Sequence, residues 1–552
     1  MKRLFVCVCA SLFAGLSLSA ENLLKESFRT VDLVTTPEKA GKMNMKFILC
    51  GIPKGTKALK FSCDVKVDGV VRGKEKWFDA RIMSNYTDNK GKKLAGGPTL
   101  GKWKGTKDWR RYEKTFNLKV SSDCIALMPC LFNVKAGELH IRNMCLEPAE
   151  GTGEKPKTPE EIAAEQAKKG EARRQEAAAI DAAAPKLGEN GTIVVSPDWR
   201  TQPIKVVGNR LQEVASGKDV WLQGVAVPSM EWGPGERIPE AVRVAVEEWH
   251  ANVIRLPVRS SRWFGQETGQ TPADAARYRR LVDYVVGYLS AKGCYLVLDL
   301  HEYRAAKARH VAFWKDAATR YRNVPAVIFG LLNEPHGISW EVWRNGGMLS
   351  DKRRKSDVPD ENNEKLVAEM SVGMQALVNA VRSTGAKNLV TAGGLDWAYD
   401  ISGAINGFAL DDPSVIYETH VYPWKGNWEK KFLATAEKYP VLLGEVGASD
   451  KKMPFESKLK DPHKWSKKVL ACIQKNHLNW TGWSFHPGAS PCLLKKGGGF
   501  EPTEYWGVYA KDALAGRQFS SEERVFEFNI QKERSAHENE DSGSAQGDQG
   551  QP

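Results

Sequence analysis

Val327-Ile-Phe-Gly-Leu-Leu-Asn333-Glu334-Pro335 is an apolar run closed by two polar residues and a proline. A short apolar run bounded by turn signals reads as a parallel strand buried on both faces. A second such run, Val441-Leu-Leu443, closes in Gly444-Glu445. Each run thus ends in a carboxylate. Carboxylates at the C-terminal ends of different parallel strands are how a (β/α)8 barrel assembles a two-acid site.

Working outward, strand-like and helix-like segments alternate through residues 191–515. The strand candidates are Val220–Val225, Val253–Leu256, Tyr295–Leu300, Val327–Leu332, Asn388–Thr391, Val415–Tyr417, Val441–Leu443 and Leu478–Trp483. A helix is expected from Thr271 to Gly293, with Thr-Pro at its start and Gly at its end. Eight strands alternating with helices predict an α/β fold of the TIM-barrel type. A doubly wound sheet is the alternative, but no Gly-rich phosphate turn follows the first strand.

The chain before the barrel is different in kind. Residues 22–149 show short strand-like pieces: Met45–Leu49, Leu59–Val65, Tyr112–Phe116, Cys124–Met128 and Leu139–Arg142. Turn signals such as Asp68-Gly69 and Ala136-Gly137 separate them. This predicts an all-β sandwich. The aromatic-rich Trp109–Phe116 and the closing Ala136–Ile141 resemble jelly-roll carbohydrate-binding modules, which implies a sugar-binding or a purely structural role. Residues 150–190 open on Thr158-Pro-Glu-Glu161, a capping box with proline at the first helical position. The Ala-rich charged stretch that follows shows no core face and predicts a helical linker, with Gly170 as a candidate break. Residues 516–552 are polar, lack a core pattern and are expected to be disordered.

The chain has 552 residues, too many for one core, with 42% hydrophobic and 27% charged residues. Lys2 and Arg3 precede an apolar stretch, Leu4 to Leu18, and Ser19-Ala20 follows. Residues 1–20 therefore read as a secretory signal peptide, and the mature protein as secreted, with no membrane span. After such a leader, Cys50, Cys63, Cys124, Cys130 and Cys145 fall in the N-terminal segment and Cys294, Cys472 and Cys492 in the later one. An odd number in each describes no tidy disulfide framework. No Cys-x-x-Cys or His-Glu-x-x-His pattern occurs, so the expectation is no metal and no cofactor. The formal charge of +13 reads as a solvated surface, not a nucleic-acid footprint. The basic run Asp351–Lys355, in the long loop after strand four, reads the same way.

Placed side by side, the strand ends form a constellation. Arg255 closes strand two, Asp299-Leu-His301 strand three, Asn333-Glu334 strand four, His420-Val-Tyr422 strand six, Glu445 strand seven and Trp483 strand eight. At these positions, over about residues 195–510, the chain resembles glycoside hydrolase family 5. Val206–Leu211 and Val220–Gly224 are similar to that family's entry hairpin and first strand. The resemblance implies retaining hydrolysis of a β-linked glycan, a β-1,4-glucan or β-mannan, within the chain. It implies Glu334 as acid/base and Glu445 as nucleophile, the two acids about 5 Å apart. It makes Asn333 a donor to the sugar 2-hydroxyl, and Arg255 and Tyr422 the residues that hold Glu445. His301 and His420 become sugar-contacting or proton-network residues, and Trp483 a platform for the sugar at the cleavage point. Of the eighteen Trp, Trp232, Trp340, Trp343, Trp397, Trp424 and Trp428 are candidates for outer sugar subsites. The partners expected are a polysaccharide or oligosaccharide and no nucleic acid, with the protein a monomer. The alternatives are a non-catalytic carbohydrate-binding protein, an exo-acting glucosidase and a transglycosylase on the same fold.

Overall fold

The computed structural model describes residues 21–73, 77–151, 156–350, 369–453, 456 and 458–520. The expected leader, the basic run Asp351–Lys355 and the expected tail beyond Ser520 lie outside them. The chain divides into two compact units between Gln175 and Glu176.

In the first unit two antiparallel sheets share one apolar core. One orders Val31–Thr35, Ala136–Ala149, Ala58–Val71 and Gly105–Asn117. The other is built on Cys124–Leu131 and Ala80–Thr87. Alternate residues such as Phe61, Cys63 and Val65 face the core, as the period of two requires. The two expected turn signals are not turns. Register shifts fall between Val67 and Val70 and between Ala136 and Glu138, so both sites are bulges in long strands. Gly137 is required at its bulge, where a Cβ would lie 2.5 Å from Val70 Cα.

The expected capping box is present: Glu161 Oε2 accepts from Thr158 N at 2.7 Å, and Thr158 Oγ1 accepts from Glu161 N at 3.2 Å. The helix Pro159–Ala183 runs through Gly170 without a break. Its last part is not a free spacer. Ile180 and Ala184 join or pack against the second unit's core, and Arg280 donates to the carbonyls of Asp181, Ala184 and Pro185.

The second unit is a closed barrel of eight parallel strands: Gln223–Ala226, Val253–Val258, Tyr295–Leu300, Val327–Gly330, Val390–Gly393, Val415–Val421, Val441–Val446 and Asn479–Gly482. These are strands one to eight below. Helices cover it, among them Pro272–Lys292, whose Thr271/Asp274 capping box and left-handed Gly293 end it as expected. Between strands five and six the cover is a 3-10 turn, Ser402–Ile405. Every second strand residue points inward. Val253, Val297, Ile328, Ile416 and Leu442 fill the lower interior with Leu211, and the hairpin Ile204–Val207/Arg210–Glu213 packs on them. One step higher on the same strands, the inward positions are Arg255, Asp299 and Glu418. The barrel's apolar plug and its polar floor are thus consecutive layers of one pattern. Residues at the start of the expected tail belong to this unit: Phe519 is buried, and its N–H donates to Gln474 Oε1 at 2.8 Å.

Candidate active site

Arg255 is the centre of the floor and is fully buried. Its Nη1 donates to Glu445 Oε1 at 3.1 Å, its Nε to Glu418 Oε1 at 3.1 Å and its Nη2 to Asn333 Oδ1 at 2.6 Å. Asp299 Oδ2 stands 3.1 Å from the same Nη2. A buried guanidinium without such partners would be costly. Here three carboxylates raise its pKa despite burial, which acts the other way.

Glu445 is held at both oxygens, with Tyr422 Oη donating to Oε2 at 2.6 Å. Burial, then Glu445, push the Tyr422 phenol well above its usual range, so it stays a donor. Gly444 makes this placement possible. Strand seven carries a register shift between Leu443 and Val446, and a Cβ on Gly444 would lie 1.9 Å from Glu418 Oε1. The bulge turns Glu445 into the barrel while Glu418 occupies the space beside it.

Glu334 sits above the end of strand four. Its backbone pairs in parallel with Tyr303, and Pro335 with Arg304, in a two-residue bridge between the loops after strands three and four. Its Oε1 is 3.0 Å from His420 Nδ1, and His420 Nε2 is 3.1 Å from Glu418 Oε1. Burial alone would lower the His420 pKa, but Glu445, Glu334 and Glu418 raise it to about 10. It is an imidazolium at neutral pH. Glu418 is lowered: burial opposes its charge, but Arg255 and His420 outweigh burial.

One ligand-type atom each from Glu334, His420 and Glu445 lies within 4.8 Å of the others. This is the one grouping of metal-type donors among the described residues. Both His420 nitrogens already face carboxylates, Arg255 already holds Glu445, and a charged imidazolium has no lone pair to give. The donor set suits proton traffic, not a cation.

Asn333 is buried, with Oδ1 engaged by Arg255 and Nδ2 without a partner. Because Arg donates only, the amide orientation follows from that contact. His301 Nδ1 lies 2.7 Å from Asp299 Oδ2, its Nε2 3.4 Å from Glu231 Oε2, and its ring stacks on Trp483 at 5.6 Å and 9°. The fold thus brings together all eight residues singled out above. It adds Glu418, which sequence reasoning missed, and Glu231, whose carboxylate also accepts from Tyr303 Oη at 3.2 Å.

The outer tryptophans divide. Trp343 is buried and therefore structural, whereas Trp340 and Trp428 are half-buried with one face against the core. Trp340 and Trp343 lie on the Ser339-capped helix Trp340–Asn345, which turns them inward. Trp232 is exposed, Trp397 stacks on His336 at 3.5 Å and Trp424 on Tyr422 at 4.7 Å.

The family model described as cellulase (glycosyl hydrolase family 5) matches residues 214–489. A cellulase of Thermoanaerobacterium sp is 22% identical over 306 residues, covering 52% of this chain and 70% of its own. An endoglucanase of Paenibacillus polymyxa is 24% identical over 345 residues, covering 53% and 80%. A β-glucanase of Saccharophagus degradans, solved with cellotetraose, aligns with a TM-score of 0.45 at 21% identity, covering 58% of this chain and 97% of its own.

Proposed function

The chain belongs to glycosyl hydrolase family 5, and on that premise we propose that it cleaves a β-1,4-glucan within the chain by a retaining double displacement. The observation that carries the mechanism is the approach of Glu334 and Glu445 oxygens to within 4.8 Å. Retaining enzymes hold their two acids about 5–5.5 Å apart, whereas inverting enzymes need roughly 6.5–9.5 Å to admit a water.

Glu445 attacks the anomeric carbon, and Glu334 gives its proton to the leaving oxygen. Arg255 and Tyr422 fix Glu445 by one hydrogen bond on each oxygen, so the nucleophile is oriented before substrate arrives. In the second half Glu334 takes a proton from water, which attacks the glycosyl-enzyme. His420, as an imidazolium between Glu334 and Glu418, supports the charge on Glu334 once its proton has left. Asn333 Nδ2 is the free buried donor for the 2-hydroxyl. Trp483, backed by His301, is the face on which the sugar stacks.

The names of the relatives support a glucan over a mannan. Export is proposed from the leader-like residues 1–20; among the described residues no helix is long and apolar enough to cross a membrane.

The test is a pair of variants. Glu445→Gln should lose turnover on soluble β-glucan and keep affinity; near-native hydrolysis would overturn the nucleophile. Glu334→Ala should retain activity on aryl glycosides with good leaving groups, and azide should accelerate it to a β-glycosyl azide. An α-azide would overturn retention.

A further inference from the structure

The first unit carries a cavity of about 440 Å³. Among the described residues, five basic side chains line it, Arg72, Arg81, Lys102, Lys104 and Lys107, against one acid, Asp79. Asp79 is already used: its Oδ1 accepts from Arg81 Nε at 2.6 Å, and Arg81 also donates to the Trp77 carbonyl. Among the described residues, no hydrogen bond or ion pair engages the side chains of Arg72, Lys102, Lys104 or Lys107.

Elsewhere in this unit several charges on the sheets are matched. Lys60 meets Glu113 and Glu147, Arg111 meets Asp64 and Glu113, and His140 meets Asp32 and Glu138. One of the unmatched cations, Lys102, also lies opposite a second cation, Arg81, whose own partner is Asp79. Arg81 and Lys102 are direct cross-strand partners, flanked by the Ala80–Trp103 and Ile82–Gly101 pairs. Like charges directly opposite one another destabilise a sheet. Such a concentration gains a rationale if an anion closes it.

The remaining walls are aromatic. Trp77 is 55% exposed, an unusual state for so large an apolar face. Trp103 lies over Gly101, where a Cβ would come 2.3 Å from the indole, so the ring's position depends on that glycine. A flat exposed indole beside unpaired cations has two matching surfaces: one for the C–H face of a sugar ring and one for its acidic substituents.

We propose that this cavity binds an acidic glycan, a polymer whose sugars carry carboxylate or sulfate groups. Trp77 stacks on a ring, and Arg72, Lys102, Lys104 and Lys107 pair with its anions. Basic and aromatic side chains together also suit single-stranded nucleic acid. The choice of glycan rests on the reading of the second unit as a glycan hydrolase. The site is built from residues of the first unit and is assayed by binding alone.

The experiment uses the full chain in affinity electrophoresis and calorimetry. The probes are polygalacturonate for carboxylate, chondroitin sulfate for sulfate, neutral hydroxyethylcellulose and an oligo-dT single strand. The double variant Lys102→Gln/Lys107→Gln and the single Trp77→Ala should each weaken binding to one or both acidic polymers about ten-fold or more. The control Lys39→Gln/Lys42→Gln removes the same charge elsewhere on the unit and should bind as wild type. All variants should hydrolyse a soluble β-glucan at the wild-type rate, so a failed hydrolase reading is seen separately. Equal weakening by the control, no effect of Trp77→Ala, or no retention on either acidic polymer would overturn the proposal. So would tighter binding to oligo-dT through the same residues, which would assign the cavity to nucleic acid.

Discussion

Asn333 turns its Oδ1 to Arg255 at 2.6 Å and leaves its buried Nδ2 without a partner. An amide held by one end and free at the other is a prepaid donor, because a buried unpaired N–H recovers its lost hydration only when something accepts from it.

Asn333→Ala should therefore lower kcat on β-glucan by about a hundred-fold, with a smaller change in KM, since the 2-hydroxyl contact strengthens in the transition state. Steady-state rates on an aryl glycoside and on its 2-deoxy analogue provide the check. The variant should lose rate on the first and little on the second. Equal losses would show that Asn333 acts only by supporting Arg255.

Gly444→Ala should be more damaging than its size suggests. The added methyl meets a Glu418 carboxylate that Arg255, His420 and Thr391 already hold, so that side chain cannot swing aside. The expected result is a loss of about 1–3 kcal/mol of stability. The accompanying fall in kcat should be at least ten-fold. Urea unfolding and kinetics on the same preparation test it.

The ionisation of the floor predicts a window of stability. The His420 pKa is raised from 6.5 to about 10 in the folded chain. Its contribution is therefore full below pH 6.5 and is lost as the pH climbs toward 10. Glu418 is lowered from 4.5, so its contribution is present above that value and is lost as pH falls through its folded pKa. Unfolding midpoints measured against pH should show both limbs, and His420→Gln should flatten the alkaline one.

Trp343→Ala and Trp232→Ala should separate structure from recognition. Trp343 is 1% exposed and its Nε1 donates to the Gly393 carbonyl at 2.8 Å, so its truncation should cost about 3–5 kcal/mol. Trp232 is 44% exposed, and its loss should leave the melting temperature in place while raising KM on polymer more than on short oligosaccharides.

The strand ends were legible because a residue at the top of a barrel strand breaks an apolar run, and the break shows in one dimension. Glu418 was not, although it obeys the same physics. It lies inside Val415–Val421, a strand buried along its whole length, and expecting the strand to end at Tyr417 put it in a loop. A charge within a strand buried on both faces demands a partner, and that demand is the signal that would have found it. Trp343 was misplaced for a related reason. Its helix is too short to show a period, so the Ser339 cap was the one available clue. The strand Ala80–Thr87 escaped notice because Arg81, Ser84 and Asn85 interrupt its apolar pattern.

The bridge that pairs Tyr303 with Glu334 and Arg304 with Pro335 bears on how this scaffold can be rebuilt. Barrel enzymes are commonly treated as interchangeable rims on a constant stave, each loop replaced alone. Here two rims are stitched together by their backbones. A strand-four loop grafted from another barrel would arrive without the seam that holds its acid, and one from strand three would cut that seam from the other side. These two loops form one heritable part, to be transplanted together or left alone.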